Sequence, residues 1–94
     1  MNATKSVLKE LGISEKNAAR EYALLNASQK FAEFNQECEA FEKKHKMKFH
    51  DFDVLLKSGA DEIFENEDDY LAWRFAFEGR SYWQEKIAQL RTES

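Results

Sequence analysis

Proline is absent from this chain, and glycine occurs only at Gly12, Gly59 and Gly79. Few positions can therefore stop a helix, because proline removes a backbone donor and glycine is the residue that most readily ends a helix in the left-handed region. Between residues 14 and 45 neither occurs. Ser14 is a good N-cap there, accepting a hydrogen bond from one of the free N–H groups of the first turn, and the segment reads as one long helix. The alternative is a break at Asn26-Ala27-Ser28-Gln29, where Asn with Gln three residues later has the form of a capping box. Continuity is favoured, since Leu24 and Phe31 keep register across that point.

The apolar pattern supports helix throughout. Leu24, Ala27, Phe31, Phe34, Cys38, Phe41 and His45 fall at alternating spacings of three and four, which places them on one stripe. A second apolar line, Ala18, Tyr22, Leu25 and Ala32, lies beside it. A short helix is expected over residues 3–11, with Val7, Leu8 and Leu11 on one face and Gly12 at its end; at this length it is only conditionally stable and loosely attached. Lys43, Lys44, Lys46 and Lys48 crowd the end of the long helix, where positive charge is favourable against the dipole. Phe49, Phe52, Leu55 and Leu56 then predict a short helix up to Gly59, folding back as a clamp. Residues 60–65 read as a loop or turn. Asn66-Glu67-Asp68-Asp69 is an N-terminal signature, an Asn cap followed by acidic residues, for a last helix running to Leu90 or Arg91. Its stripe is Trp73, Ala76, Arg80, Trp83, Ile87 and Leu90, widened by Tyr70 and Phe77, with Leu71, Phe75 and Tyr82 forming a second line.

The 94 residues make one domain, 1–94. Hydrophobic residues are 43% and aromatics 14% of the chain, which marks a folding protein and not a disordered tail. No apolar run reaches the roughly 18 residues of a membrane span, and Met1 is followed by a polar stretch unlike a signal peptide, so a cytoplasmic location and no membrane partner are expected. Helices over 14–45 and 66–91 would be about 48 and 38 Å long at 1.5 Å per residue, too long for a sphere whose radius of gyration is about 13 Å. The expected fold is all-α: an elongated antiparallel helical hairpin of two long helices with a short helix between them. The apolar arcs exceed what one seam consumes, so a homodimer forming a larger helical bundle is expected, or a different protein supplying the same cover.

Chemistry-bearing constellations are few. Cys38 stands alone at an apolar helical position and reads as a core thiol. His45 and His50 with Asp51 and Asp53 match no metal-ligand spacing, and His45 occupies a stripe position where a half-buried imidazole is commoner. No Ser/His/Asp set, glycine-rich phosphate loop or CxxC is present, so no enzyme, cofactor or metal is expected. The net charge of −4 is uneven: residues 58–94 carry four Lys/Arg against nine Asp/Glu. An acidic chain lacks the electrostatic footprint of phosphate binding, so direct nucleic-acid binding is not expected and a basic protein partner is. Glu67, Asp68 and Asp69 are accounted for as first-turn carboxylates, whereas Asp61, Glu62 and Glu65 are candidates for an exposed acidic binding surface. Leu71, Phe75 and Tyr82 are candidates for an aromatic one. Gly79 within the last helix costs about 1 kcal/mol relative to alanine; the close approach of another backbone, or a local bend, would explain it, and Phe75 and Tyr82 share its face.

The stretch E-K-K-H-K-M-K-F-H-D-F over residues 42–52, read with D-D-Y-L-A-W over 68–73, resembles small all-helical prokaryotic proteins identified as antitoxins or as companions encoded beside a toxin. In those relatives a tyrosine and a glycine often stand where this chain has His45 and Lys46. The resemblance covers roughly residues 31–90. It implies a non-enzymatic inhibitor that binds a toxin, with a structural homo-oligomeric scaffold or adaptor as the alternative.

Overall fold

The computed structural model describes residues 2–59 and 64–93, the side chains of Phe64 and Glu65 excepted. Four helices are present, α1 (Ala3–Leu11), α2 (Glu15–His45), α3 (Phe49–Lys57) and α4 (Phe64–Thr92), with no strand among the described residues. None of the helices among the described residues is long and apolar enough to cross a membrane.

Local chemistry sets most boundaries. Asn2 caps α1 by accepting from the Lys5 N–H at 3.0 Å, and Gly12 closes it at φ 71°, in the left-handed region that glycine enters without a Cβ penalty. Ser14 accepts from the Asn17 N–H at 3.0 Å and starts α2. α2 then runs unbroken through residue 26, because the Asn26 amide turns back to donate to the Tyr22 carbonyl at 2.8 Å and so does not compete for the backbone as a cap. Lys46 ends α2 at φ 55°, a conformation that costs a non-glycine residue on the order of 1 kcal/mol.

The start of α4 corrects the sequence expectation. Asn66 is not its N-cap, since the helix already includes Phe64 and Glu65, so these two residues are not loop. Asn66 therefore lies inside the helix. The expected loop over 60–63 lies outside the described residues. At the other end α4 extends to Thr92, whose hydroxyl donates to the Gln89 carbonyl at 3.0 Å.

The two long helices pack against each other. Arg20 donates to the Glu93 carbonyl (2.8 Å), Arg80 donates to Asn35 (3.3 Å), and His45 meets Asp69 (2.7 Å). Ascending positions in α2 thus meet descending positions in α4. Every member of the α2 stripe and every member of the α4 stripe is buried or half-buried, which is the outcome a three-four spacing requires of a helical seam. The molecule extends 63 × 22 × 19 Å. α3 packs across α4 near the α2–α3 corner, and the core lies there: Cys38, Phe52, Trp73 and Ala76 are buried, with Phe34, Phe41, Met47, Phe49, Leu56, Tyr70 and Phe77 around them. Trp73 is at the centre, 5.6 Å from Phe41, 5.6 Å from His45, 5.5 Å from Phe49 and 5.0 Å from Phe52 between ring centroids. Its indole N–H is buried without an acceptor, at a cost of about 1–3 kcal/mol that ring packing and area burial on all sides must offset.

Candidate protein-binding surface

One flank of α4 is apolar and faces solvent. Phe75, Gly79 and Tyr82 follow one another at four and three residues, so they share a face, and Phe75 and Tyr82 keep 67% and 53% of their area exposed. Leu71, four residues before Phe75, is exposed as well. Their position follows from the seam: Trp73, Ala76, Arg80 and Trp83 point into α2, which turns this line toward water.

Gly79 is the centre of the surface. A Cβ placed on it would meet three ring carbons of Phe34 at 2.6–2.7 Å, far inside van der Waals contact. The glycine therefore makes room for the ring of Phe34, from α2 of the same chain, and not for another backbone as its position in the sequence suggests. Phe34 in turn meets Phe75 edge-on, with centroids 5.7 Å apart and planes at 66°. Phe75 thus lies over a ring that is itself seated in the notch left by glycine. Further along, the Lys86 ammonium stands 5.3 Å from the Tyr82 ring centroid, and Tyr82 meets Trp83 edge-on at 5.1 Å. Both contacts limit the rotamers of Tyr82, so less side-chain entropy is left to lose on binding.

The acidic candidates divide. Glu67 and Asp68 are exposed at the start of α4, while Asp61, Glu62 and the side chain of Glu65 lie outside the described residues. Asp69 is drawn into the protein: its Oδ2 accepts from Lys44 Nζ at 2.7 Å and pairs with His45 Nε2 at 2.7 Å. The Lys44 bond first, and the His45 bond after it, hold the Asp69 carboxyl below its ordinary range against the desolvation that would raise it. His45 is also stacked on Trp73 and tilted against Phe52 at 4.3 Å. A second tie joins α3 to α4, where the Tyr70 hydroxyl donates to Asp53 Oδ1 at 2.6 Å and Lys57 Nζ lies 3.2 Å from Oδ2. The tyrosine bond lowers the Asp53 carboxyl and, reciprocally, raises the Tyr70 phenol.

Neither tie is anticipated from the sequence. The signal for the first was present: Asp69 lies four residues before Trp73, on its stripe, and His45 is the last member of the opposing stripe, so opposite running directions bring them together. Tyr70 with Asp53 has no comparable signal.

Other concavities are open grooves. One of about 320 Å³ lies between α3 and α4 along Phe49, Asp53, Lys57, Tyr70, Arg74, Phe77 and Glu78; its charges are paired internally, Asp53 with Lys57 and Arg74 with Glu78. Another of about 380 Å³ follows Ser28, Phe31, Gln84, Ile87, Ala88 and Arg91. Among the described residues no three His, Cys, Asp or Glu side chains gather as metal ligands, and Cys38 is buried, with its thiol pushed up by desolvation. Compared with models of protein families, with curated proteins and with solved structures, the chain matches none.

Proposed function

We propose that this chain is a non-enzymatic protein-binding protein of the antitoxin type, which inhibits a toxin by covering its surface. The observation that supports this reading is the exposed aromatic flank of α4: two large rings, on either side of a glycine notch, held over a packed base. Aromatic side chains dominate the energetics of protein interfaces and are costly to leave in water. The excess of carboxylates over residues 58–94 suits a basic partner, and a toxin that acts on nucleic acid would present a basic groove. Leu71, Phe75, Gly79 and Tyr82 form the apolar part of the contact, Asp61, Glu62 and Glu65 are its acidic contact residues on the sequence alone, and the complex forms in the cytoplasm.

The test is coexpression with the product of the adjacent gene. Growth arrest by that product should be relieved by this chain. Phe75→Ala should weaken the purified complex about thirtyfold, the equivalent of about 2 kcal/mol for an aromatic anchor. Failure to relieve the arrest, or unchanged affinity of the variant, would refute the reading.

A structural homo-oligomer is the second reading. It is favoured by the thinness of the core, where only Ala27, Cys38, Phe52, Trp73 and Ala76 are buried among the described residues; a hairpin of this shape gains stability by joining a second copy in a dimeric bundle. The two readings separate genetically. An inhibitor becomes dispensable once the neighbouring toxin gene is deleted, whereas a scaffold does not.

A further inference from the structure

A second apolar surface lies at the α1 end of the molecule. α1 is amphipathic and has no buried residue. Val7 and Leu11 on it, Ile13 in the link, and Tyr22 and Leu25 on the neighbouring part of α2 keep between 39% and 70% of their area exposed. An open hollow of about 350 Å³ runs along Ala3, Thr4, Val7 and Leu8.

We infer that this end is a self-association surface, on which α1 of one copy covers the Ala18–Tyr22–Leu25 line of a second copy, and the reverse. Three observations carry it. First, the chain does not cover the line with its own arm, and the link resists a change of angle: the Gly12 and Ile13 N–H groups close α1 by donating to the Lys9 and Leu8 carbonyls at 3.1 and 2.9 Å, while the Ser14 hydroxyl caps α2. Folding α1 back onto its own α2 would have to bend the chain between these two caps. Second, donor and acceptor are adjacent in the chain, residues 7–13 and 18–25, so one two-fold axis satisfies both copies and closes the assembly.

Third, charge and area fit a second copy. Residues 1–25 carry four Lys/Arg and three Glu, so this end is nearly neutral while the rest of the chain is acidic and repels its like. A buried aliphatic side chain covers on the order of 100 Å² and a tyrosine about 200 Å². Weighted by the observed exposures, the five side chains offer about 350 Å² of apolar area per copy. With the usual polar share, two copies bury about 1,200 Å², the lower end of specific interfaces. The dimer is therefore a reversible, concentration-dependent one.

Sedimentation equilibrium of the full chain, from low micromolar to near-millimolar concentration, reads the assembly directly. The wild type should rise to twice the chain mass. Leu11→Glu and Tyr22→Glu each put a charge in the contact and should raise the dissociation constant at least about tenfold. Both side chains are exposed, so far-ultraviolet circular dichroism should not change. Val54→Glu, an exposed apolar position on α3, should dimerise like the wild type. A single-chain mass over the whole range would overturn the inference, as would a dimer insensitive to both substitutions or one equally weakened by Val54→Glu. Toxin binding on the α4 flank is read by affinity for a different protein, so either result can fail without the other.

Discussion

Gly79→Ala sets two effects of opposite sign against each other. In an exposed helix interior, alanine for glycine stabilises by about 1 kcal/mol, because the unfolded chain has fewer states to lose. Here the new methyl would fall 2.6–2.7 Å from the Phe34 ring, so the ring must withdraw by roughly 0.7 Å to reach ordinary contact, carrying Phe75 with it. Overpacking of this kind costs about 1–3 kcal/mol. The cost exceeds the gain, and the variant should be destabilised by about 1 kcal/mol, a fall in Tm of about 4–8 °C for a domain of this length. Phe34→Leu removes the obstructing edge. In that background Gly79→Ala should become neutral or stabilising, giving a coupling of at least about 1 kcal/mol in a double-mutant cycle measured by urea unfolding. If Gly79→Ala instead stabilises the wild-type protein by the full propensity difference, with no coupling to Phe34, the notch is not what maintains glycine there. The same contact changes what a larger residue does: Gly79→Leu should damage the fold itself, and not only an assembly.

Two further outcomes follow, one from the Asp69 tie and one from the end of α2. Asp69 has a folded pKa below its ordinary 3.8, so its contribution to stability is complete above that value and is lost as pH falls through the lower folded one. Asp69→Asn should cost about 1 kcal/mol at neutral pH, because Lys44 is half exposed and water screens its share, and thermal melts in the acid range should show a shallower pH dependence than wild type. Lys46→Gly should raise stability by about 1 kcal/mol, since glycine occupies the left-handed α2 terminus at φ 55° without strain; an unchanged or lowered urea midpoint would contradict this.

The seam was readable in the sequence because its signal is periodic. Leu24 to His45 and Trp73 to Leu90 repeat every three and four residues, and a helix converts that spacing into a buried line whatever the partner. Caps were readable for a similar reason: Ser14 and Gly12 act on backbone groups within three or four residues. The start of α4 was not, because Asn66 can serve either as a cap or inside a helix, and nothing local decides between them. The role of Gly79 was half legible. Its propensity cost implied a close approach, but whether a backbone or a ring approached depended on Phe34, forty-five residues away and on another helix. Contacts such as Tyr70 with Asp53 depend on the angle at which α3 returns, which is set at the Lys46 to Lys48 corner and carries no periodic signature.

The placement of α3 accounts for where the fully buried rings lie. Where α3 lies across α4, three helices surround Trp73 and Phe52, and both rings are fully buried. Beyond its reach only two helices meet, and a two-helix seam has open sides. Phe31, Trp83, Ile87 and Leu90 on this part of the seam are half-buried, and the groove along Phe31, Ile87 and Ala88 stays open. Adding apolar residues to the seam would not close it, because each helix already commits the face it has; closure needs a third helical surface, as α3 provides at the other end. α1 stands at this thin end without packing over it. The same chain therefore has a three-helix core at one end, and at the other an arm and a groove that a further helix would complete.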